Sequence, residues 1–375
     1  MKINSRFDGG NIEVVSLKTN DDIQLKIEKD TGADYFQWFY FRLQDAAGYP
    51  CKLNIINAGE AYEPEGWKDY NACASYDRLN WFRVPTSFDD NVLSINHTPE
   101  YNSVFYAYFA PYSHEQLLDL LHRAQLSDDC ILENLGDTVE GRSIDMLIAG
   151  EPTKGKKKIW IIARQHPGEP MASWFMEGFI SMLLDKNNPV SRKLLSDCVF
   201  YLVPNMNVDG SINGNLRANG AGRNLNREWS DPDPENSPEV YHVFNKMEET
   251  GVDLNLDIHG DEGLPCNFIS GIEGIPGFSN RLENLRNDFI DALISLTPDF
   301  QDEHGYPKDK PGNANLSICS KAVAYKFDCL SLTLEMPFKD NKNMPDPVSG
   351  WSPERSMILG ESVLQAIHSI FPKLR

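Results

Sequence analysis

His166 and Glu169 stand three residues apart in "ARQHPGEPM", where an apolar run ends and a Pro-Gly turn follows. Such a turn bends the chain back, so that an imidazole and a carboxylate on it can converge on one point. Convergent N and O donors are what a divalent metal ion needs. Zinc in a catalytic site takes three protein ligands and keeps a fourth position for water. Two ligands commonly come from a short local motif and the third from a distant element. His259 closes the run "DLNLDIHG", and a strand terminus would hold a ligand rigidly. Asp257, two positions back, falls on the same strand face and can orient that imidazole. Taken alone the pair is unspecific, because 8 histidines and 55 acidic residues make a chance match unsurprising. The bland alternative is a strand-to-helix connection that happens to carry polar residues.

Other residues change the balance. Glu335 sits at the end of another apolar run, "SLTLEMP", where a buried carboxylate is costly unless it is used. Arg217, Arg223 and Arg227 crowd a glycine-rich stretch with Asn224 and Asn226 among them. A solvated charged loop is the default for those residues in the absence of the metal pair. Together the set meets the needs of metal-assisted amide hydrolysis. A bound ion lowers the pKa of a water molecule. A carboxylate such as Glu335 takes the proton and passes it to the leaving amine. The oxyanion of the tetrahedral intermediate needs a positive donor, which suits an arginine. A substrate with a free terminal carboxylate needs an Asn/Arg clamp, since guanidinium matches carboxylate geometry bidentately.

The elements that position these residues fall into two textures. From residue 1 to about 112, short aromatic-rich runs (34–43, 51–58, 79–85, 91–98 and 103–112) are separated by turn residues, which predicts a small antiparallel β-sandwich. From Ser113 onward helical and strand-like runs alternate. A Ser N-cap opens "SHEQLLDLLHRAQ". Strands are expected at 143–150, 158–164, 198–204, 252–260 and 329–337, with helices near 170–185, 236–249, 277–296 and 353–371. This predicts an α/β domain over 113–375, its active residues at strand ends. The polar stretch 205–237 is long for a loop in a compact domain, and such loops are more often functional than idle.

The chain of 375 residues is long enough for two domains and a large buried core. A net charge of −20 argues against a nucleic-acid partner. Seven scattered cysteines without a CxxC pair read as reduced thiols, and the first residues lack the apolar core of a signal peptide. No window has the uninterrupted apolar length of a membrane span. A cytoplasmic protein without a membrane partner is expected; oligomeric state is not legible.

"HPGE", "GNLRANGAGRNLNR", "DIHG" and "LTLE", in that order, resemble the zinc metallocarboxypeptidases, and the cytosolic carboxypeptidase branch in particular. "WFYFRLQD", "YAYFAPYSHEQL" and "VPNMNVDG" extend the likeness over roughly 34–337. The resemblance implies a mixed-sheet α/β catalytic domain behind a small β-sandwich, acting on the C-terminal tails of peptides or proteins. It implies one zinc ion per chain, with His166, Glu169 and His259 as ligands. Arg217 would then polarise the scissile carbonyl, Asn226 and Arg227 would grip the terminal carboxylate, and Glu335 would be general base and acid. Only the resemblance distinguishes Arg217 from Arg223.

Two departures stand out. Asn224 occupies a position where the family commonly has an aspartate that buttresses the first zinc histidine, and Asp261 follows Gly260 where the branch often has histidine. Tyr306 cannot be aligned with the family's mobile tyrosine and receives no role. In "SICSKAVAYK", Ser320, Lys321 and Lys326 fall where the family lines its terminal side-chain pocket. Lys321 is therefore expected to favour a terminal Glu or Asp, against the alternative of an exposed helix-surface lysine. The rivals are a zinc-dependent N-acyl-amino-acid deacylase, such as a succinylglutamate desuccinylase, and a non-catalytic binding module on the same fold.

Overall fold

The computed structural model describes all residues 1–375. Ten strands occupy the first part of the chain: β1 (Lys2–Asn4), β2 (Glu13–Thr19), β3 (Asp22–Lys26), β4 (Tyr40–Gln44), β5 (Cys51–Ile55), β6 (Ala72–Ser75), β7 (Phe82–Val84), β8 (Thr86–Asp89), β9 (Val92–His97) and β10 (Ser103–Ala107). They form two five-stranded sheets, ordered β1-β4-β10-β6-β7 and β2-β3-β5-β9-β8. Alternate residues of both sheets, among them Leu25, Phe41, Leu53, Ile95 and Tyr106, share one apolar core. The pairing is antiparallel except between β3 and β5, which run parallel. The aromatic run at 34–43 pairs only from Tyr40; Phe36 to Phe39 are buried in extended chain outside the ladder.

After α1 (His114–Ala124) come β11 (Cys130–Asp137), β12 (Ser143–Ala149), β13 (Lys157–Ala163), α2 (Met171–Leu183), α3 (Pro189–Asp197), β14 (Cys198–Val203), α4 (Val208–Asn213), α5 (Pro238–Thr250), β15 (Leu254–Asp261), β16 (Phe268–Ser270), α6 (Asn280–Leu296), α7 (Cys319–Phe327), β17 (Leu330–Pro337) and α8 (Pro353–Ile370). Ser113 caps α1 in a capping box with Gln116, as its sequence predicts. The strands build one seven-stranded sheet, ordered β11-β12-β14-β13-β15-β17-β16. Its centre, β14-β13-β15-β17, is parallel and its edges are antiparallel. The central strands are covered on both faces, which is why they read as continuous apolar runs. No helix is long and apolar enough to cross a membrane.

Two consequences bear on function. The carboxyl ends of β13, β15 and β17 lie side by side, and the side chains carried there are brought together by strand order alone. On one face of the sheet, α2 and α8 pack so closely that a Cβ on Gly178 would lie 2.2 Å from the Met357 carbonyl oxygen. Gly178→Ala must therefore push the two helices apart, and overpacking of this kind costs about 1–3 kcal/mol. The expected result is a lower urea midpoint at unchanged m-value; a midpoint equal to that of the native chain would show that the helices yield freely.

Candidate active site

His166 and Glu169 sit on the connection between β13 and α2. The chain leaves β13 through Arg164, which holds φ at 57°, a left-handed conformation that costs a non-glycine residue of order 1–3 kcal/mol. Its buried guanidinium keeps it there, donating from Nε to Pro167 O at 3.0 Å and from Nη1 to Tyr112 O at 2.8 Å. The tight turn that follows needs Gly168. Its N–H donates to Leu216 O at 2.8 Å, and a Cβ would collide with that same carbonyl.

The turn aims the Glu169 carboxylate between two imidazoles. His166 Nδ1 lies 2.7 Å from Oε1, and His259 Nδ1 lies 2.8 Å from Oε2. Gly260 N–H donates to Oε2 at 3.1 Å. All three side chains are buried. One donor atom from each of the three residues lies within 4.8 Å of the others, so the set can hold a metal ion. The outer nitrogens are also engaged: His166 Nε2 is 3.1 Å from Asn224 Oδ1, and His259 Nε2 is 3.0 Å from Asp257 Oδ1. Asp257 is braced in turn by Gln165 Nε2 at 2.8 Å, and Trp229 Nε1 donates to Gln165 Oε1 at 2.7 Å. Asp257 Oδ1 thus approaches the His259 ring from the same strand face without making a hydrogen bond of its own.

The electrostatics suit a cation. Burial and the nearby Arg217 push His166 down to about 4, leaving a neutral imidazole with a free lone pair. Around His259, Asp257 and Glu169 outweigh burial and raise its pKa. The same negative field that retains a proton there would attract a metal ion.

Glu335 ends β17 directly beside His259 on β15, the two being Cα partners in the parallel register. It is buried, and its Oε2 has no hydrogen-bond partner. Burial holds its carboxyl well above the ordinary carboxylate range, with His259 opposing. This is the group that strand-end reasoning singled out, and it opens onto a cavity of about 610 Å³.

Arg217 reaches the same cavity from the 205–237 segment, which holds α4 and a short turn over Leu225–Arg227 rather than a bare loop. Its guanidinium lies 4.4 Å from the Tyr62 ring centroid and 3.9 Å from Glu262 Oε1. Asn226 accepts from Cys319 N at 2.9 Å and presents Nδ2 3.3 Å from His259 Nε2. Arg227 also lines the cavity. Lys321, on α7, lines the far wall, its ammonium ion-paired with Asp309. Lys326 instead pairs with Glu248 away from the cavity, and Ser320 is buried, accepting from Thr333.

Other wall residues had no role assigned from the sequence, Tyr306 among them. Tyr62 and Glu63 come from the N-terminal connection between β5 and β6, and Tyr306 donates to Asp261 Oδ2 at 2.5 Å. Burial pushes Glu262 up to about 8, against the pull of Arg217. "HGDE" places Glu262 three residues after His259, which is the one clue that could have flagged it.

Residues 115–361 match the family model described as zinc carboxypeptidase, and residues 3–109 match that of the cytosolic carboxypeptidase N-terminal domain. The chain belongs to the zinc carboxypeptidase family. It is similar to a metallo-carboxypeptidase from Burkholderia cenocepacia, with 49% identity, coverage of 98% of each chain and a TM-score of 0.96. A metallo-carboxypeptidase from Pseudomonas aeruginosa, solved in complex with (2-guanidinoethylmercapto)succinic acid, is 43% identical over 100% of both chains, with a TM-score of 0.97. Human cytosolic carboxypeptidase 1 is 28% identical over 65% of this chain, which covers 23% of that protein's length. Family membership makes the chain a peptidase hydrolase and implies a metal cofactor. The donor set of two neutral-capable imidazoles and one carboxylate fits that ion.

The two outer partners differ in charge, and this yields a prediction. Replacing Asp257 with Asn should weaken zinc binding about 10–100-fold, the usual cost of losing an outer partner. Asn224→Asp, which places a negative charge on His166, should tighten it. Competition with a chelator of known affinity measures both; equal affinities in all three proteins would rule out the outer contacts as tuning groups.

Proposed function

We propose that the chain removes the C-terminal residue from peptides or protein tails, using one zinc ion held by His166, Glu169 and His259. The observation that carries this reading is Glu335: a buried carboxylate with a free oxygen, one strand away from His259 and facing the cavity. A zinc ion held there supplies Lewis acidity toward both water and a carbonyl oxygen. Glu335 accepts the proton of the attacking water and delivers it to the leaving amine. Its raised pKa suits it to hold that proton between the two steps. Arg217 donates to the oxygen on which negative charge develops, from a guanidinium already desolvated by the cavity wall. Asn226 Nδ2 and Arg227 receive the terminal carboxylate, and this contact selects chain ends over internal bonds.

Lys321 gives the pocket its preference. Its ammonium lines the cavity with Asp309 as its present partner. A terminal Glu or Asp side chain can share or replace that partner, so acidic ends are favoured. A cytoplasmic setting is supported by the seven cysteines, all free and buried.

Two measurements test the reading. Glu335→Gln is expected to keep its zinc and lower kcat by about 10²–10⁴-fold; retention of most turnover would remove Glu335 from the mechanism. Matched peptides ending in Glu, Leu and Lys should show about tenfold or greater preference for Glu in kcat/KM, abolished by Lys321→Met. A preference for Leu or Lys would end the acidic reading and leave carboxypeptidase activity standing.

A further inference from the structure

Arg217 is carried on the catalytic domain, yet the residues that hold it come from the N-terminal sheets. Asp30 follows β3 and is buried. Its Oδ1 accepts from Leu216 N–H at 2.6 Å, and its Oδ2 accepts from the N–H groups of Arg217 at 2.7 Å and Ala218 at 2.8 Å. A single carboxylate thus chelates three consecutive amides, centred on the arginine. The neighbouring contacts repeat the theme. Thr31 N–H donates to Asn215 Oδ1 at 3.0 Å, and Asn11 Nδ2 donates to Gly214 O at 2.8 Å. Above the backbone, the Tyr62 ring stacks on the guanidinium at 4.4 Å and is braced edge-on by Tyr35 at 5.6 Å.

No other side chain grips Arg217 closely. Glu262 is 3.9 Å away, and the Arg217 Nε has no hydrogen-bond partner. Its position is therefore set by the peptide segment beneath it and the ring above it, and both depend on the N-terminal domain. We infer that Asp30 and Tyr62 are positioning residues for the reaction: the N-terminal domain completes the active site by fixing Arg217 at the place where the oxyanion forms. The inference rests on the reading of Arg217 given under the proposed function.

The geometry explains why a carboxylate is needed. An asparagine at position 30 has one oxygen; its amide nitrogen would point a donor at an N–H donor, and part of the chelate must open. Charge-assisted bonds of this kind are shorter and stronger than neutral ones. A displacement of about 1 Å at a catalytic group can lower the rate about 100-fold. An interaction made only with the transition state acts on kcat and leaves KM nearly unchanged.

A double-mutant cycle on the full-length zinc-loaded chain tests this, with metal content and melting temperature recorded for each protein. Arg217→Ala is expected to lower kcat about 10²–10³-fold. Asp30→Asn should lower kcat about tenfold in the native background, with KM within about twofold, and should have little further effect beside Arg217→Ala. Tyr62 is 42% exposed, so Tyr62→Leu is compatible with folding even where Asp30→Asn is not. It should show the same dependence on Arg217, and Tyr62→Phe, which keeps the ring, should recover most of the lost kcat. Equal losses in both backgrounds would overturn the positioning role while leaving Arg217 in place. Native kcat in Arg217→Ala would overturn the reading of Arg217 and the inference with it.

Discussion

Taking a carboxylate out of water at the base of a cavity is costly unless positive charge or donors replace the lost hydration. Glu169 is placed in that situation, and its surroundings answer the cost on every side. Two imidazole nitrogens approach its two oxygens at 2.7 and 2.8 Å, and a backbone N–H caps one of them. Burial alone would raise its pKa, but His166 and His259 prevail and hold it in the ionised range. The arrangement is stable only if the turn after β13 and the end of β15 are fixed relative to each other. The parallel register Ala163↔Ile258 supplies that. Strained Arg164, the Gly168 turn and the pairing of β15 with β17 all serve to keep one anion between two rings, with Glu335 next to it.

The legible part of the site was the part made by local geometry. A histidine and glutamate on one turn need no tertiary information. His259 and Glu335 each end an apolar strand, where an ionisable group stands out against its own segment. The alternation that placed Asp257 on the face of His259 follows from strand pleating alone. The central strands and long helices were visible for the same reason, since covered parallel strands leave continuous apolar runs.

What could not be read has physical causes. Both β2 and β11 lie at sheet edges with largely exposed or half-exposed residues, so they lack the buried alternation that marks a strand. The α3 helix is short, although Asn188 before Pro189 was a start signal that its side chain does use, accepting from Val190 and Ser191. The parallel pairing of β3 with β5 is a matter of register between segments, on which composition is silent. Tyr62, Glu63 and Tyr306 reach the cavity only through the fold. Their sequence neighbourhoods are ordinary loops, with no spacing to relate them to a metal pair roughly a hundred residues away.

Asp30 is the sharpest case, because the N–H donors it accepts from lie 186 to 188 positions away in sequence. A continuous hydrogen-bonded path nevertheless joins it to the turn that carries His166 and Glu169. Asp30 accepts from Leu216 N–H, and Leu216 O accepts from Gly168 N–H beside Glu169. The two faces of one peptide residue therefore tie the N-terminal sheets to the ligand turn. An arginine alone on its segment would sample many rotamers; fixed between an anchored backbone and an aromatic ring, it loses that freedom during folding. On this view the long polar segment 205–237 owes its order to two domains at once. The N-terminal part of the chain then shares in fixing the arginine-bearing segment that lines the cavity.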